Sequence, residues 1–177
     1  EYNVKLAVDA VEQFGFNEIQ FDYMRFPDST VSIERNGLVD MKNSYGETKA
    51  QVLQNFMFYA CDAIHEKGAY VSVDVFGESA NTYVTAYGQY WPAISNIVDV
   101  ISSMPYTDHF GRSVDTWTKP YNTVYKWALG AAKRQIEIST PAVARTWITA
   151  YDTPHWNPVV IYGADKIVEQ VQALYDA

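Results

Sequence analysis

Two stretches of the chain alternate apolar and polar side chains with the two-residue period of a β-strand. In residues 17–22, Ile19 and Phe21 alternate with polar residues, the segment ends in Asp22, and Pro27 follows. Such alternation turns the apolar side chains to one face of a strand and the polar ones to the other. Because strands buried on both faces are usually apolar throughout, this polar face needs an ion partner, a ligand or water.

The second alternating stretch, residues 69–76, repeats the arrangement. Val71, Val73 and Val75 alternate with polar residues, and Asp74 stands near the end of the polar face. Both stretches therefore predict a strand that presents an acid at its carboxyl end, which is where α/β folds place their chemistry.

Apolar residues at helical spacing separate the predicted strands. Val4, Ala7, Val11 and Phe14 repeat at this spacing, and Gly15 suits the left-handed residue just past a helix end. The other predicted elements are helices at residues 47–67, 90–96, 121–134 and 164–175, strands at 98–104 and 142–150, and a loop without secondary structure at 28–46.

The order of these elements predicts the fold class. One helix precedes four strand–helix units, a pattern typical of parallel strands with right-handed crossovers. An open sheet covers both strand faces with helices, whereas a barrel turns one face to a lumen, so the polar faces favour a barrel. A complete (β/α)8 barrel needs about 250 residues. We therefore predict that residues 1–177 form a single α/β domain, a contiguous half-like segment of a TIM barrel with about four parallel strands and flanking helices.

Charge and architecture limit the expected partners. The formal net charge of −8 argues against nucleic acid or an anionic membrane as a partner. No apolar run approaches the roughly 18–20 residues that span a bilayer. Because half a barrel would expose sheet edges and lumen, we expect self-association or contact with the missing barrel half.

Aromatic side chains are unusually frequent, at 15% of the chain. Two interpretations stand beside each other: a large aromatic core, or flat surfaces that stack against the C–H faces of sugar rings. The second interpretation makes a carbohydrate the expected ligand.

Asp22 and Asp74 are the leading catalytic candidates. They end consecutive predicted strands and face the same lumen. Adjacent strands lie about 4.8 Å apart, so the two carboxyl groups are expected near the spacing that glycosidases use, about 5–5.5 Å for retaining and 6.5–9.5 Å for inverting enzymes. Nearby carboxylates also push their pKa values apart, which yields one acid and one nucleophile or base. The alternative for each is a structural acid bonded to loop amides or to Arg25.

Polar residues in the loops after the strands are further candidates. Glu78 follows the second strand and suits a general acid, or it is a solvated loop residue. Asp108 and His109 follow the third strand, where His109 suits a sugar hydroxyl. Arg25 has three open roles: pairing with Asp22, holding a substrate hydroxyl, or forming a loop salt bridge.

The predicted fourth strand adds an arginine and a tryptophan to the lumen. Arg145, Trp147 and Thr149 share one face. An arginine inside a barrel needs an acid partner, and Glu18 on the first strand is the available one. Trp147 suits a sugar platform or a plug of the lumen.

No cofactor or metal ion is predicted. The three histidines lack ligand spacing, and the sequence contains no glycine-rich phosphate loop, nucleophile elbow or zinc motif. An all-carboxylate magnesium or calcium site built from Asp22, Asp74 and Asp108 is the remaining alternative. Cys61 lies in an apolar helical pattern, which predicts a buried, inert thiol.

One segment carries a specific family resemblance. Residues 15–27 read Gly-Phe-Asn-Glu-Ile-Gln-Phe-Asp-Tyr-Met-Arg-Phe-Pro, which resembles the G-F-x-E-I-Q-F-D-Y-I-R-F-P signature of a glycoside-hydrolase-like barrel family of bacteria, a domain of unknown function. Residues 73–77 resemble its A-D-V-F-G strand. Residues 102–106, with His109, resemble its S-P-M-x-Y-P-S-H-Y strand, and residues 145–148 resemble its R-P-W-L-Q-x-F strand. These segments occur in the same order and span most of the chain.

The resemblance implies a TIM-type barrel that acts on polysaccharide and favours an extracellular or cell-surface location. It places Asp22 at the amylase-like nucleophile position after the fourth barrel strand. The chain departs from the pattern where Thr107 and Asp108 replace Pro-Ser and where Thr149 replaces a glutamine. These departures predict a rim that binds a different sugar.

The leading hypothesis is a glycoside hydrolase with Asp22 as nucleophile or base and Asp74 or Glu78 as proton donor. A non-catalytic carbohydrate-binding or cell-wall-associated module is the main alternative, and a metal-assisted lyase or aldolase is a third. The expected substrate-binding residues are Tyr23, Arg25, Tyr106, Asp108, His109, Arg145 and Trp147.

Overall fold

The computed structural model describes residues 1–111 and 113–177. Helices and strands alternate along most of this chain, with single turns of 3₁₀ helix at Gly77–Ala80 and Thr107–His109. The strands are β1 (Glu18–Phe21), β2 (Tyr70–Phe76), β3 (Val100–Met104) and β4 (Val143–Ala144). The helices are α1 (Tyr2–Phe14), α2 (Thr30–Arg35), α3 (Lys49–His65), α4 (Trp91–Ser95), α5 (Val114–Thr118), α6 (Pro120–Gln135) and α7 (Ala164–Asp176).

The four strands form one parallel sheet in the order β1-β2-β3-β4. Phe21 lies opposite Val73, and Asp74 lies opposite Ser102. Since sequential strands are neighbours and helices connect them, the chain has the α/β architecture predicted from the element order. It is a contiguous segment of a β/α barrel.

The apolar face of the sheet builds the core. Val71, Val73 and Val75 of β2 are completely buried, and β2 packs against α3, which contributes Met57 and Ile64 to the same cluster. Burying one such side chain contributes about 1.5–3 kcal/mol. This face therefore fixes the register of β2, because a one-residue slip would turn the valines into the lumen.

A salt bridge across the opposite face shows how strongly the sheet curves. Arg145 Nη1 donates to Glu18 Oε2 at 3.0 Å, and Nη2 donates to Glu18 Oε1. In a flat sheet the strands that carry these residues would lie three spacings, about 14 Å, apart. The sheet is therefore curled around its polar face, and the predicted pairing of Arg145 with Glu18 is confirmed.

The fourth strand is shorter than the predicted residues 142–150. The regular ladder covers only Val143–Ala144, although Arg145 N still donates to Ile101 O at 2.9 Å and Trp147 N to Ser103 O at 2.8 Å. Within the described part of the chain, no second strand pairs with β4. The backbone thus continues along β3 in extended form, but with hydrogen bonds on one side only.

The loop predicted at residues 28–46 is also not fully irregular, because it contains α2.

The prediction for the first helix end is confirmed: Gly15 has a φ of 70°, and its N–H donates to Val11 O at 2.9 Å. Cys61 on α3 is buried, as predicted, and burial raises the pKa of its thiol to about 12.

Candidate active site

A cavity of about 200 Å³ opens at the carboxyl ends of β1 and β2. We call it the acid-pair cavity, because both Asp22 and Asp74 line it. Its lining residues are Asp22, Tyr23, Arg25, Asp74, Phe76, Gln89, Met104, Tyr106 and His109. Asp22 follows Phe21, which pairs with Val73, so the two acids occupy equivalent positions on adjacent strands.

Asp22 sits at a backbone distortion just past the end of β1. Its Oδ1 accepts a hydrogen bond from Tyr23 N at 2.7 Å, and Tyr23 adopts a φ of 54°. A left-handed conformation costs a non-glycine residue roughly 1–2 kcal/mol. Such strain concentrates at functional sites, where it holds side chains in a required direction. Here the exposed carboxylate of Asp22 lines the cavity, and Tyr23 is 74% exposed beside it.

Asp74 occupies a different environment, since only 7% of the residue is exposed. Trp147 Nε1 donates to its Oδ1 at 2.9 Å. Burial raises the pKa of the Asp74 carboxyl, and the nearby Asp22 charge raises it further. The Trp147 hydrogen bond and the Arg145 charge lower it, without reversing the direction. The environment of Asp74 therefore favours its protonated form, as a proton donor requires.

Gln89 supports both acids and was missed by the sequence analysis. The residue is 1% exposed, and its Oε1 accepts from Phe76 N while its Nε2 donates to Met24 O, both at 3.0 Å. It thereby ties together the chain segments that follow Asp22 and Asp74. No periodic pattern surrounds Gln89 in the sequence, so only its two distant backbone contacts reveal this role.

A second cavity of about 410 Å³ adjoins the first, and we call it the Glu78 cavity. It is lined by Tyr23, Arg25, Asp28, Phe76, Glu78, Tyr87, His109 and Phe110. Glu78 lies on the 3₁₀ turn after β2 and accepts a hydrogen bond from the Tyr87 hydroxyl. Burial raises the pKa of Tyr87, and Glu78 adds to this effect. Glu78 lines this second cavity and is not among the residues that line the acid-pair cavity.

Arg25 forms a salt bridge within its own loop. Its Nη1 donates to Asp28 Oδ1 and to Phe26 O, each at 3.1 Å. The guanidinium also lies over the ring of Phe76, 4.9 Å from the centroid, and 5.8 Å from that of Tyr87. Among the three roles left open by the sequence, the loop salt bridge is the one that the structure shows.

The candidate residues after β3 differ in whether they line the acid-pair cavity. Tyr106 and His109 line the acid-pair cavity and touch edge-on, with ring centroids 5.8 Å apart. Burial raises the pKa of Tyr106, as do the charges of Asp74 and Asp22. Asp108 instead accepts a hydrogen bond from the Tyr151 hydroxyl at 2.7 Å and lines neither cavity.

The lumen residues after β4 also differ in position. Trp147 is 46% exposed and donates its hydrogen bond to Asp74, but it is not one of the residues that line the acid-pair cavity. Arg145 is bound to Glu18, which lies four residues before Asp22 on the same face of the first strand, and this contact lowers the pKa of Glu18. Arg145 thus braces the sheet, and its predicted substrate contact stays a prediction.

The alternative metal site made of three aspartates does not form. Asp108 is held by Tyr151, away from the other two acids. In residues 1–111 and 113–177, no three histidine, cysteine, aspartate or glutamate side chains gather as metal ligands would. The same part of the chain holds no helix of the length and hydrophobicity that crossing a membrane requires.

A parallel sheet curled around an acid-lined face defines a protein of the β/α-barrel class. Residues 1–177 match the family model described as "Putative glycosyl hydrolase domain". The chain belongs to this family, as its sequence motifs indicated. No curated protein matches the sequence.

Two solved structures resemble the fold. SleL, a spore cortex-lytic enzyme of Bacillus megaterium QM B1551, superposes with a TM-score of 0.55 at 13% identity, over 98% of this chain and 36% of that one. Catalytic domain 2 of the Group II chitinase of Ostrinia furnacalis gives a TM-score of 0.45 at 21% identity, over 82% of this chain and 36% of that one. The chain thus spans about a third of the length of each structure.

Proposed function

We propose that this domain contributes the catalytic acids of a glycoside hydrolase that acts on a polysaccharide. The observation that carries the proposal is the acid-pair cavity itself, in which an exposed carboxylate, Asp22, faces a buried acid with a raised pKa, Asp74. Glycosidases need this combination, because one carboxyl must keep its proton while the other is ionised. Membership in the glycosyl hydrolase family supports the same reaction class.

In the proposed mechanism Asp74 donates its proton to the glycosidic oxygen as the bond to the anomeric carbon breaks. Asp22 either attacks that carbon directly or deprotonates the attacking water on the opposite face of the sugar. The equivalent positions of the acids on adjacent strands favour the shorter carboxyl spacing and therefore a retaining reaction. Asp74 is preferred over Glu78 as the donor, because Glu78 lies outside the cavity that contains Asp22.

The aromatic side chains around the acids support a carbohydrate substrate. Tyr23 and Trp147 are exposed beside the cavity, and Tyr106 forms part of its wall. Aromatic faces pack well against the C–H surface of a pyranose ring. His109 lines the same cavity and supplies a ring nitrogen for a sugar hydroxyl.

Substitution of each acid tests the mechanism. Asp22→Asn and Asp74→Asn, made in the protein that contains this domain, are compared with wild type on a panel of bacterial and plant polysaccharides. We expect each variant to lose at least about 10²–10⁴-fold in kcat, the usual contribution of acid–base catalysis. Asp9→Asn is the matched control, because Asp9 lies on α1, outside both cavities, and forms its salt bridge with Lys5. Hydrolysis by Asp22→Asn at the wild-type rate would remove Asp22 from the mechanism.

The unequal exposure of the two acids favours a second candidate, a carbohydrate-binding module without catalysis. Asp74 is buried and already accepts a hydrogen bond from Trp147, which leaves Asp22 as the accessible acid. In this case the domain binds an oligosaccharide, no product appears with any substrate, and the Asp74→Asn variant binds as wild type does.

We also propose that the edges of the sheet contact other protein, either a second copy of this chain or the rest of a barrel. Each of β1 and β4 pairs with one strand only within the described residues. An edge strand with free backbone groups is a template for further pairing.

A further inference from the structure

We propose that the Glu78 cavity binds the sugar unit next to the cleaved bond and selects glycans with protonated amino groups over glycans with uronic acids. The inference rests on the proposed function, since it assigns a substrate class to the same site. It concerns residues that the reaction itself does not use. Three features of the cavity carry it: its continuity with the acid pair, its aromatic walls and its charge.

The two cavities form one depression at the rim of the sheet. They share four lining residues, Tyr23, Arg25, Phe76 and His109. The acid-pair cavity, at about 200 Å³, is smaller than the usual ligand pocket of about 300–1,000 Å³, whereas the Glu78 cavity, at about 410 Å³, lies within that range. A sugar chain that places one bond between Asp22 and Asp74 therefore has room for its next unit beside Glu78.

Aromatic side chains give this second cavity walls that suit a sugar ring. Phe76 and Tyr87 pack edge to face at 5.3 Å, and Phe110 packs on Trp127 at 4.8 Å. The second pair packs closely against Gly77, because a Cβ there would lie 2.9 Å from Phe110 Cζ and 3.3 Å from Trp127 Cγ. Rigid aromatic surfaces bind the apolar face of a pyranose at little cost in side-chain entropy.

The charges of the cavity discriminate between classes of glycan. Its arginine, Arg25, forms a salt bridge with Asp28, another lining residue, and lies over Phe76, so these two opposite charges together add no net charge to the cavity. Glu78 contacts the neutral hydroxyl of Tyr87, and no lysine or arginine of residues 1–111 and 113–177 forms a salt bridge with it. The unpaired charge therefore comes from Glu78 and, next door, Asp22. An ammonium group on the sugar forms a charge-assisted hydrogen bond here, and a uronate carboxylate is repelled.

Equilibrium binding of three oligosaccharides of equal length tests the inference. The probes are glucosamine, N-acetylglucosamine and galacturonic acid oligomers, measured by calorimetry at mildly acidic pH with the Asp74→Asn variant, in which cleavage is suppressed. We expect the glucosamine oligomer to bind at least about tenfold more tightly than the acetylated one, the effect of one charge-assisted hydrogen bond. The galacturonic acid oligomer should bind most weakly.

Two additional substitutions in that background separate charge from structure. Glu78→Gln should remove the preference for the glucosamine oligomer and leave the affinity for the acetylated one within about twofold, since only the charge changes. Tyr87→Phe is the matched control, because it deletes the hydroxyl that contacts Glu78 and keeps the charge; it should retain the preference. Circular dichroism and thermal unfolding establish that both variants fold.

Equal or tighter binding of the galacturonic acid oligomer would overturn the inference, as would an unchanged preference in Glu78→Gln or no binding of any oligomer by folded protein. The catalytic proposal fails separately. If the preference for the glucosamine oligomer is present but Asp22→Asn still hydrolyses substrate at the wild-type rate, the proposal that Asp22 and Asp74 are catalytic is wrong. The proposed selectivity of the Glu78 cavity is then retained. If hydrolysis depends on Asp22 and the preference for the glucosamine oligomer is absent, only the proposed selectivity of the Glu78 cavity is wrong.

Discussion

A single indole N–H connects the fourth strand to the acid on the second. Trp147 donates to Asp74, and this bond lowers a pKa that burial has raised. Trp147 is therefore a positioning residue for the proposed proton donor, in addition to being an exposed ring beside the cavity. The two roles have different experimental signatures, because packing against sugar affects affinity while the hydrogen bond affects ionisation.

Trp147→Phe should shift the pH dependence of hydrolysis. Without the indole donor the pKa of Asp74 rises, so the acid stays protonated to higher pH. The alkaline limb of the kcat/KM profile therefore moves to higher pH. Loss of ring area alone would raise KM at every pH and leave the limb in place. Trp156→Phe is the control, because Trp156 stacks on Trp117 outside both cavities. A limb that stays fixed or moves to lower pH contradicts this role of Trp147.

At the scale of elements, the Glu18–Arg145 salt bridge joins the two outer strands of the sheet across its concave face. It is bidentate and partly shielded, with Glu18 28% and Arg145 49% exposed as side chains. Arg145 lowers the pKa of Glu18. By linkage, the stabilisation is fully present above the ordinary Glu18 pKa of 4.5 and is lost as the pH falls through the lowered value.

Glu18→Gln should lower the free energy of unfolding by about 1 kcal/mol at neutral pH, the upper end for pairs of this exposure. The difference from wild type should vanish in acid, where Glu18 is protonated in both states. Urea unfolding over a series of pH values measures it. Asp9→Asn breaks an i,i+4 pair whose lysine side chain is 75% exposed, and should cost no more than about 0.5 kcal/mol. Equal losses in the free energy of unfolding of the two variants would show that the cross-strand pair stabilises the domain no more than an exposed helix pair does.

At the scale of the whole molecule, the outer strands leave apolar surface exposed. Val143 on β4 is 67% exposed, although most valines of the sheet are completely buried. Exposed apolar side chains on an edge strand promote pairing between chains.

The isolated domain should therefore associate in a concentration-dependent manner in sedimentation velocity experiments. Val143→Lys should weaken this association about tenfold, because a lysine on an edge strand opposes pairing. Val159→Lys adds the same charge at a 54% exposed valine outside the sheet and should leave association unchanged. A monomer at all concentrations, or equal effects of the two lysines, would refute association through β4.

The parts of this molecule that the sequence predicts are those with a local period. The two-residue alternation around Ile19 and Val73 predicts β1 and β2, their polar faces and the shared direction of Asp22 and Asp74. An arginine that faces a lumen needs an acidic partner, and this requirement predicts the pairing of Arg145 with Glu18.

The features that the sequence does not predict depend on contacts between distant segments. Gln89 joins two loops through backbone groups 65 and 13 residues away. The regular ladder of β4 covers only Val143–Ala144, a length that its own composition does not reveal. Arg25 prefers Asp28, three residues on, because the loop bends at Tyr23 into a conformation that its residue type does not favour.

The ladder between β1 and β2 has a consequence for how such a domain diversifies. Phe21 and Val73, the residues directly before the two acids, form the last pair of this ladder, so its backbone hydrogen bonds, and not the lengths of the surrounding loops, set the spacing at which Asp22 and Asp74 begin. Grafting new rim loops onto this scaffold should therefore exchange the sugar that is accepted while the anomeric configuration of the product stays the same. Specificity and stereochemistry would be inherited independently.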